Sequence, residues 1–319
     1  MPRVSPFRRP GRLRDQPSLG DKLRDMPSDA WERANQAAAS AGVTLGALTS
    51  LEDAESVVHV MRETWGDHDL MPREMLRALA ESGNVPWGAF DGEDIVGYVL
   101  GWAGVDPDDG IHVHSHMLAT LPSRRHAGVG YALKLAQRAM SLDQGINLVR
   151  WTFDPLIARN AHFNVTKLGA HCDRFNRNFY GEMGDTLNAG DRSDRLVVRW
   201  DLDREPGPWP FPTGEGVVVV RAAGPADLPR PERSEEAMFE ASADGEGCVR
   251  LGIPRDYANL RRVDPGLGQE WRDATGEILV ECFALGLRVV AFDADLEGGY
   301  PVYGLATPEA ALDWPEDVA

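Results

Sequence analysis

Along this chain, stretches with apolar residues at helical spacing give way to stretches that alternate apolar and polar. The switches fall at glycine, proline, asparagine and aspartate. "SDAWERANQAAASAG" predicts a helix capped by Ser28 or Asp29 and ended by Gly42. "VTLGALTS" predicts a strand, and "LEDAESVVHVMRETWG" and "PREMLRALAESG" two helices, the second opened by Pro72 and closed by Gly83. "VPWGAFDG" and "DIVGYVLGWAGV" meet at Asp91-Gly92, a hairpin signal, and "GIHVHSHMLATLP" is a third consecutive strand. A helix follows in "GVGYALKLAQRAMSLDQG", with Leu133, Leu135, Ala136 and Met140 on one broad face. Then come a strand in "NLVRWTFDP", a short helix in "ARNAHFNVTKLG" and a last strand in "DRLVVRWDL". The order predicts an α+β sheet domain over residues 43–203.

The texture changes after that. "DREPGPWPFPTGEG" is a Pro/Gly-rich linker, and from residue 205 on there are 22 Asp or Glu against 9 Arg. Within this acidic part, "GVVVVRAA" and "LRVVAFDAD" predict strands and "LGQEWRDATGEILVECFALG" a helix, together a small α+β appendage. The expected division is a basic extension over 1–27, the main domain over 28–203, a linker over 204–215 and the acidic subdomain over 216–319. At 319 residues the chain is long enough for such an arrangement.

Charge and cysteine content narrow the function. A net charge of −17 argues against nucleic acid as a partner, because phosphate backbones demand a basic surface. There is no long apolar run to span a membrane and no secretory leader, so a cytoplasmic location is expected. Cys172, Cys248 and Cys282 are too scattered for a disulfide framework or a zinc site and read as small buried residues.

The chemistry concentrates in "RRHAGVGYAL". Arg125, Gly128 and Gly130 follow an R-x-x-G-x-G spacing between a strand and a helix. Glycines there let backbone N–H groups converge, and a helix start is a natural anion site. A dinucleotide-binding unit would need the glycines in its first βαβ element, and a Walker loop would need Gly-Lys-Ser/Thr; neither is present. Spacing alone fits equally a diphosphate cradle and a plain tight turn.

"LATLPSRRHAGVGYALKLAQRA" resembles the acyl-CoA-binding motif of the GNAT N-acyltransferase superfamily, and the element order of residues 43–203 is similar to that fold. "WTFDPLIARNAHFNVTKLGA", "FYGEMGDTLNAG" and "SDRLVVRW" look like a bacterial subgroup of predicted acetyltransferases that continues beyond the sheet domain. The fold implied is a mixed, mostly antiparallel sheet flanked by helices. Implied too is an acyl-CoA co-substrate, acetyl or succinyl. Its pantetheine would bond the backbone at Leu118, Ala119 and Thr120, with help from Asn160, and its diphosphate would rest on Arg125, His126, Ala127, Gly128, Val129 and Gly130. The thioester would lie between "HSHMLAT" and "NLVRWTFDP". The acceptor implied is a small-molecule amine, such as an amino acid, and the chain could pair as a homodimer.

Acyl transfer to an amine benefits from a base and an acid. His112, His114 and His116 share one strand face, and His116, nearest the expected thioester, is the candidate base. Many relatives supply the acid from a tyrosine in L-Y-x-K-L-G; "NVTKLG" here has Val165 in that place. Tyr180 is the candidate substitute, with His162 as a further one. Arg159, Arg174, Arg177 and Arg195 could hold an acceptor carboxylate. The three histidines also suggest a metal, but no partner ligands follow, so none is expected. Two rivals stand beside the enzyme reading: a silent acyl-CoA sensor, favoured by the missing tyrosine, and a metal-dependent hydrolase built on H-V-H-S-H.

Overall fold

The computed structural model describes residues 29–67, 70–125, 127–183, 190–209, 217–224, 228–234, 248–295 and 299–307. The basic extension 1–27, His126 and the second half of the predicted linker lie outside these. In chain order the first half comprises α1 (Asp29–Ser40), β1 (Thr44–Ala47), α2 (Leu51–Trp65), α3 (Arg73–Glu81), β2 (Trp87–Asp91), β3 (Asp94–Asp106) and β4 (Gly110–Thr120). It continues with α4 (Val129–Asp143), β5 (Leu148–Phe153), α5 (Ala158–Ala161), a π-helical turn over His162–Lys167, β6 (His171–Asn176) and β7 (Arg195–Asp201). The second half adds β8 (Val217–Ala223), β9 (Arg230–Arg233), β10 (Val249–Gly252), α6 (Tyr257–Val263), α7 (Pro265–Ala284), β11 (Arg288–Asp293) and β12 (Val302–Ala306).

The strands form one mixed sheet in the order β1-β2-β3-β4-β5-β7-β6-β11-β12-β10-β8-β9. All neighbours run antiparallel except β4 with β5 and β8 with β10. The sequence pattern predicts one strand after the short helix; the structure has two. β6 escapes because Asp173 and Arg174 break its alternation. Here β6 is the strand that meets the acidic half, through the single pair Cys172–Val289. Side chains make the rest of that joint. Val165, Leu168, Ile278, Phe292 and Tyr303 share one apolar core, Thr166 Oγ1 donates to the Phe292 carbonyl at 2.8 Å, and Tyr303 Oη to that of Pro155 at 2.7 Å.

Two local features shape the middle of the sheet. β4 and β5 pair only at Val113–Val149 and His114–Arg150, after which they part. Opposite that point, the β3–β4 register slips between Leu100–Met117 and Gly101–Ser115, so His116 is an extra, bulged residue. Gly101 is required there: a Cβ would stand 2.7 Å from the His114 carbonyl oxygen and 2.9 Å from Gln137 Nε2.

Beneath the gap lies α4, almost wholly buried between the sheet and α1. It sends Lys134 into the floor, where the residue is 2% exposed. Nζ donates to Gln137 Oε1 at 2.7 Å, lies 3.1 Å from Ser115 Oγ and sits 3.7 Å from the centre of the Trp151 ring. Burial holds this amine well below the usual lysine range.

A buried guanidinium joins the halves. Arg272 of α7, 1% exposed, grips both Asp154 oxygens at 2.7 and 2.8 Å and also pairs with Asp191. Asp191 further accepts from Tyr257 Oη at 3.0 Å and pairs with Arg261 at 3.1 Å.

Removing one partner of such a cluster strands the others. Arg272→Ala is expected to lower the unfolding free energy by about 3–5 kcal/mol, read from the midpoint of a urea titration. Lys134→Met has the opposite sign. The folded-state pKa of Lys134 is depressed, so below the ordinary lysine value the unfolded chain holds the proton more tightly and lysine costs stability. The variant should melt a few degrees higher than wild type in scanning calorimetry at pH 7. Its advantage should shrink as pH rises toward the ordinary lysine value.

Candidate acyl-transfer site

The turn after β4 is built as a cradle. A 3₁₀ turn over Pro122–Arg124 ends the strand, and the chain re-enters α4 through Gly128, whose φ of +87° is costly for any residue with a Cβ. Tyr131 and Ala132 both donate to the Gly128 carbonyl, at 3.0 and 3.1 Å. The N–H groups of Val129 and Gly130 precede them at the positive end of a fifteen-residue helix. Arg125, Ala127 and Gly128 are exposed; Arg124 is drawn away by an ion pair with Asp91. These features fit a diphosphate: donors on the backbone, a cation beside them, and no side chain at Gly128 to block approach.

From the cradle, the edge of β4 leads back to the gap. Leu118, Ala119 and Thr120 pair with Val99, Tyr98 and Gly97 on one side, while their other side runs along the opening between β4 and β5. At its head lies a cleft of about 640 Å³. His116, Asn160 and Tyr180 all line it, as do Thr152, Arg159 and Arg195. The described turn residues, 125 and 127–130, do not; they stand at the far end of the β4 edge.

His116 and His114 stack with Trp102, at ring separations of 4.7 and 5.2 Å, and lie 5.8 Å from each other. The three histidines therefore do begin on one face, but the bulge shifts the parity, and Met117 lines the cleft beside His116. Burial, and then the neighbouring histidines and Lys134, push the His114 pKa down to about 4. Partial burial lowers that of His116 as well. Both rings are thus neutral at pH 7, and His116 has the more open position. His112 instead packs over Gly104, with Nδ1 3.3 Å from the Gly110 carbonyl. Among the described residues no group of three His, Cys, Asp or Glu is arranged to hold a metal ion.

The remaining candidates divide. Val165 is 1% exposed within the core and offers no hydroxyl. His162 lies outside the cleft lining, its Nδ1 buried without a hydrogen-bond partner. Tyr180 stands in the cleft with its hydroxyl 3.2 Å from Thr152 Oγ1. Of the four arginines, Arg174 is held away by Asp109 at 3.0 Å, and Arg177 lies against Gly276 of α7; Arg159 and Arg195 remain. Sequence reasoning missed Glu182, a carboxylate lining the cleft, and the contact of Lys134 with Ser115. The only hint of the latter was a lysine on the apolar side of a helix.

Residues 50–169 match the profile of the Acetyltransferase (GNAT) family. A GNAT-family protein from Desulfovibrio desulfuricans is 20% identical, covering 50% of this chain and 99% of its own, with a TM-score of 0.39. The ribosomal-protein-S18-alanine N-acetyltransferase of Escherichia coli is 13% identical over 51% of this chain and 96% of its own, with a TM-score of 0.41. Arabidopsis thaliana Naa50, solved with the bisubstrate analogue CoA-Ac-MVNAL, is 15% identical over 50% and 97%, with a TM-score of 0.38. No curated protein sequence matches the chain. The matched profile runs through both the cradle and the gap to which it leads, so residues 50–169 carry a domain of the Acetyltransferase (GNAT) family.

Proposed function

We propose that the protein transfers an acyl group, acetyl or succinyl, from coenzyme A to the amine of a small molecule by direct attack. The observation that carries this reading is the parting of β4 and β5 beside a neutral histidine, in line with a helix-start cradle. Acyl-CoA is the co-substrate, and it brings a thioester carbonyl activated for attack. The N–H groups at the start of α4, with Arg125, hold its diphosphate. The β4 edge at Leu118–Thr120, together with Asn160, holds the pantetheine.

The attacking amine must be uncharged and must lose a proton as the new amide forms. His116 accepts that proton, directly or through one water, because its lowered pKa keeps the lone pair available at neutral pH. A backbone N–H near Met117 or Leu118, on the open edge of β4, steadies the developing oxyanion. Tyr180 takes the place of the tyrosine lost at Val165 and donates to the departing thiolate. A silent acyl-CoA sensor would share the cradle and explain Val165, but the hydroxyl of Tyr180 in the cleft favours turnover.

CoA release from acetyl-CoA and succinyl-CoA over a panel of amines tests the reading; binding without release would support the sensor. Gly128→Val should abolish calorimetric binding of acetyl-CoA, since valine at that positive φ strains the turn and fills the cradle. Retained affinity would remove the cradle. His116→Gln should lower kcat by about 10²–10³-fold. In wild type the sign follows from the depressed pKa: His116 stays unprotonated as pH falls through 7, so the rate holds there and declines only below the ordinary imidazole range. That limb should vanish from the pH profile of the variant.

A further inference from the structure

Arg195, the first residue of β7, is 6% exposed and lines the wall of the cleft. A guanidinium so buried normally meets a carboxylate at hydrogen-bond distance. This one donates instead to the Asp194 carbonyl oxygen at 2.9 Å and to Met183 Sδ at 3.2 Å, and lies under the Tyr180 ring at 5.4 Å. Its ion pair with Asp154 is long, at 3.9 Å.

The surrounding acids are already committed. Both oxygens of Asp154 belong to Arg272, and one also accepts from the Leu156 N–H at 2.9 Å. Asp191 is shared by Arg272 and Arg261. Asp194 points both oxygens at Arg192, at 2.8 and 2.9 Å, and Arg192 also pairs with Asp273 of α7. The four aspartates and four arginines of this cluster balance in number, but Arg195 is the one of the four guanidiniums with no carboxylate at hydrogen-bond distance, and it faces the space where the acceptor must enter. Two α7 residues, Arg272 and Asp273, hold the pairs in that arrangement. Glu182, an exposed carboxylate on the same lining, offers a place for an ammonium group before it is deprotonated.

We propose that the acceptor carries a carboxylate close to its amine, as an α-amino acid does, and that Arg195 receives that carboxylate in a bidentate pair. Arg272, reaching in from the acidic half, is the positioning residue: it occupies Asp154, which would otherwise neutralise Arg195. The inference rests on the acyl-transfer reading and names its substrate class. A succinyl donor also bears a carboxylate, so the source of the anion has to be resolved by experiment.

The test is CoA release by the full chain with acetyl-CoA, over the common α-amino acids and the amides of the same amino acids. The expected result is a KM lower for the acid than for its amide by about ten- to a hundredfold in at least one pair. In Arg195→Gln the difference collapses through KM while kcat changes little, and Arg195→Lys restores part of it. Amides used as well as acids overturn the proposal, as does an Arg195→Gln variant that loses acid and amide equally. It is also overturned if the dependence on Arg195 appears only with succinyl-CoA and carboxylate-free amines, which assigns the site to the donor. If Arg195→Gln does not fold, the discrimination between acid and amide in wild type decides. Absence of CoA release with every amine, despite binding of acetyl-CoA, removes the transfer reading itself and this proposal with it.

Discussion

Two parallel strands that share only two residue pairs govern the rest of this molecule. An open seam in a sheet leaves backbone donors and acceptors unpaired, which is costly unless something else engages them. In this chain the cost is contained by local devices. The bulge at His116 redirects β4, Gly101 lets β3 follow closely, and α4 closes the floor with Lys134 under Ser115 and against Trp151. The seam then opens on the cleft face alone. An extended ligand can satisfy such an edge, while the helix that seals the floor presents its N-terminus at the turn after β4. One helix thereby serves both packing and recognition.

Most of this architecture is legible in the residues. The Asp91-Gly92 hairpin, the period-two runs of β3 and β4, and the glycine turn before α4 lie where the pattern puts them, because each rests on short-range geometry. What the pattern misses depends on distant partners. β6 is too charged to read as a strand until β7 lies beside it. β10 and β12 are five residues or fewer and find their apolar surroundings only in the completed sheet. The alternation of the three histidines is visible, yet the register slip that ends it is imposed by β3. At the cleft, His116, Tyr180 and Asn160 converge from separate elements. Val165, where many relatives carry a tyrosine, is buried in the core.

The acidic half is less an appendage than its composition suggests. Its long helix α7 contributes Arg272 and Asp273, which fix the carboxylates around the cleft wall, although neither residue lines the cleft. Binding energy for an acceptor would thus depend on a charge arrangement whose members are more than a hundred residues apart in sequence. No local motif could encode that balance.

The joint between the two halves of the sheet has a mechanical meaning. With one strand pair at Cys172–Val289, the backbone ladder transmits almost nothing across it. The shared apolar core and the Arg272 cluster must carry the load, and both are lost together when either half loosens. The halves should therefore unfold as a single cooperative unit. A fragment cut near residue 204 would present a wet apolar face and two orphaned carboxylates, rather than a free-standing catalytic domain.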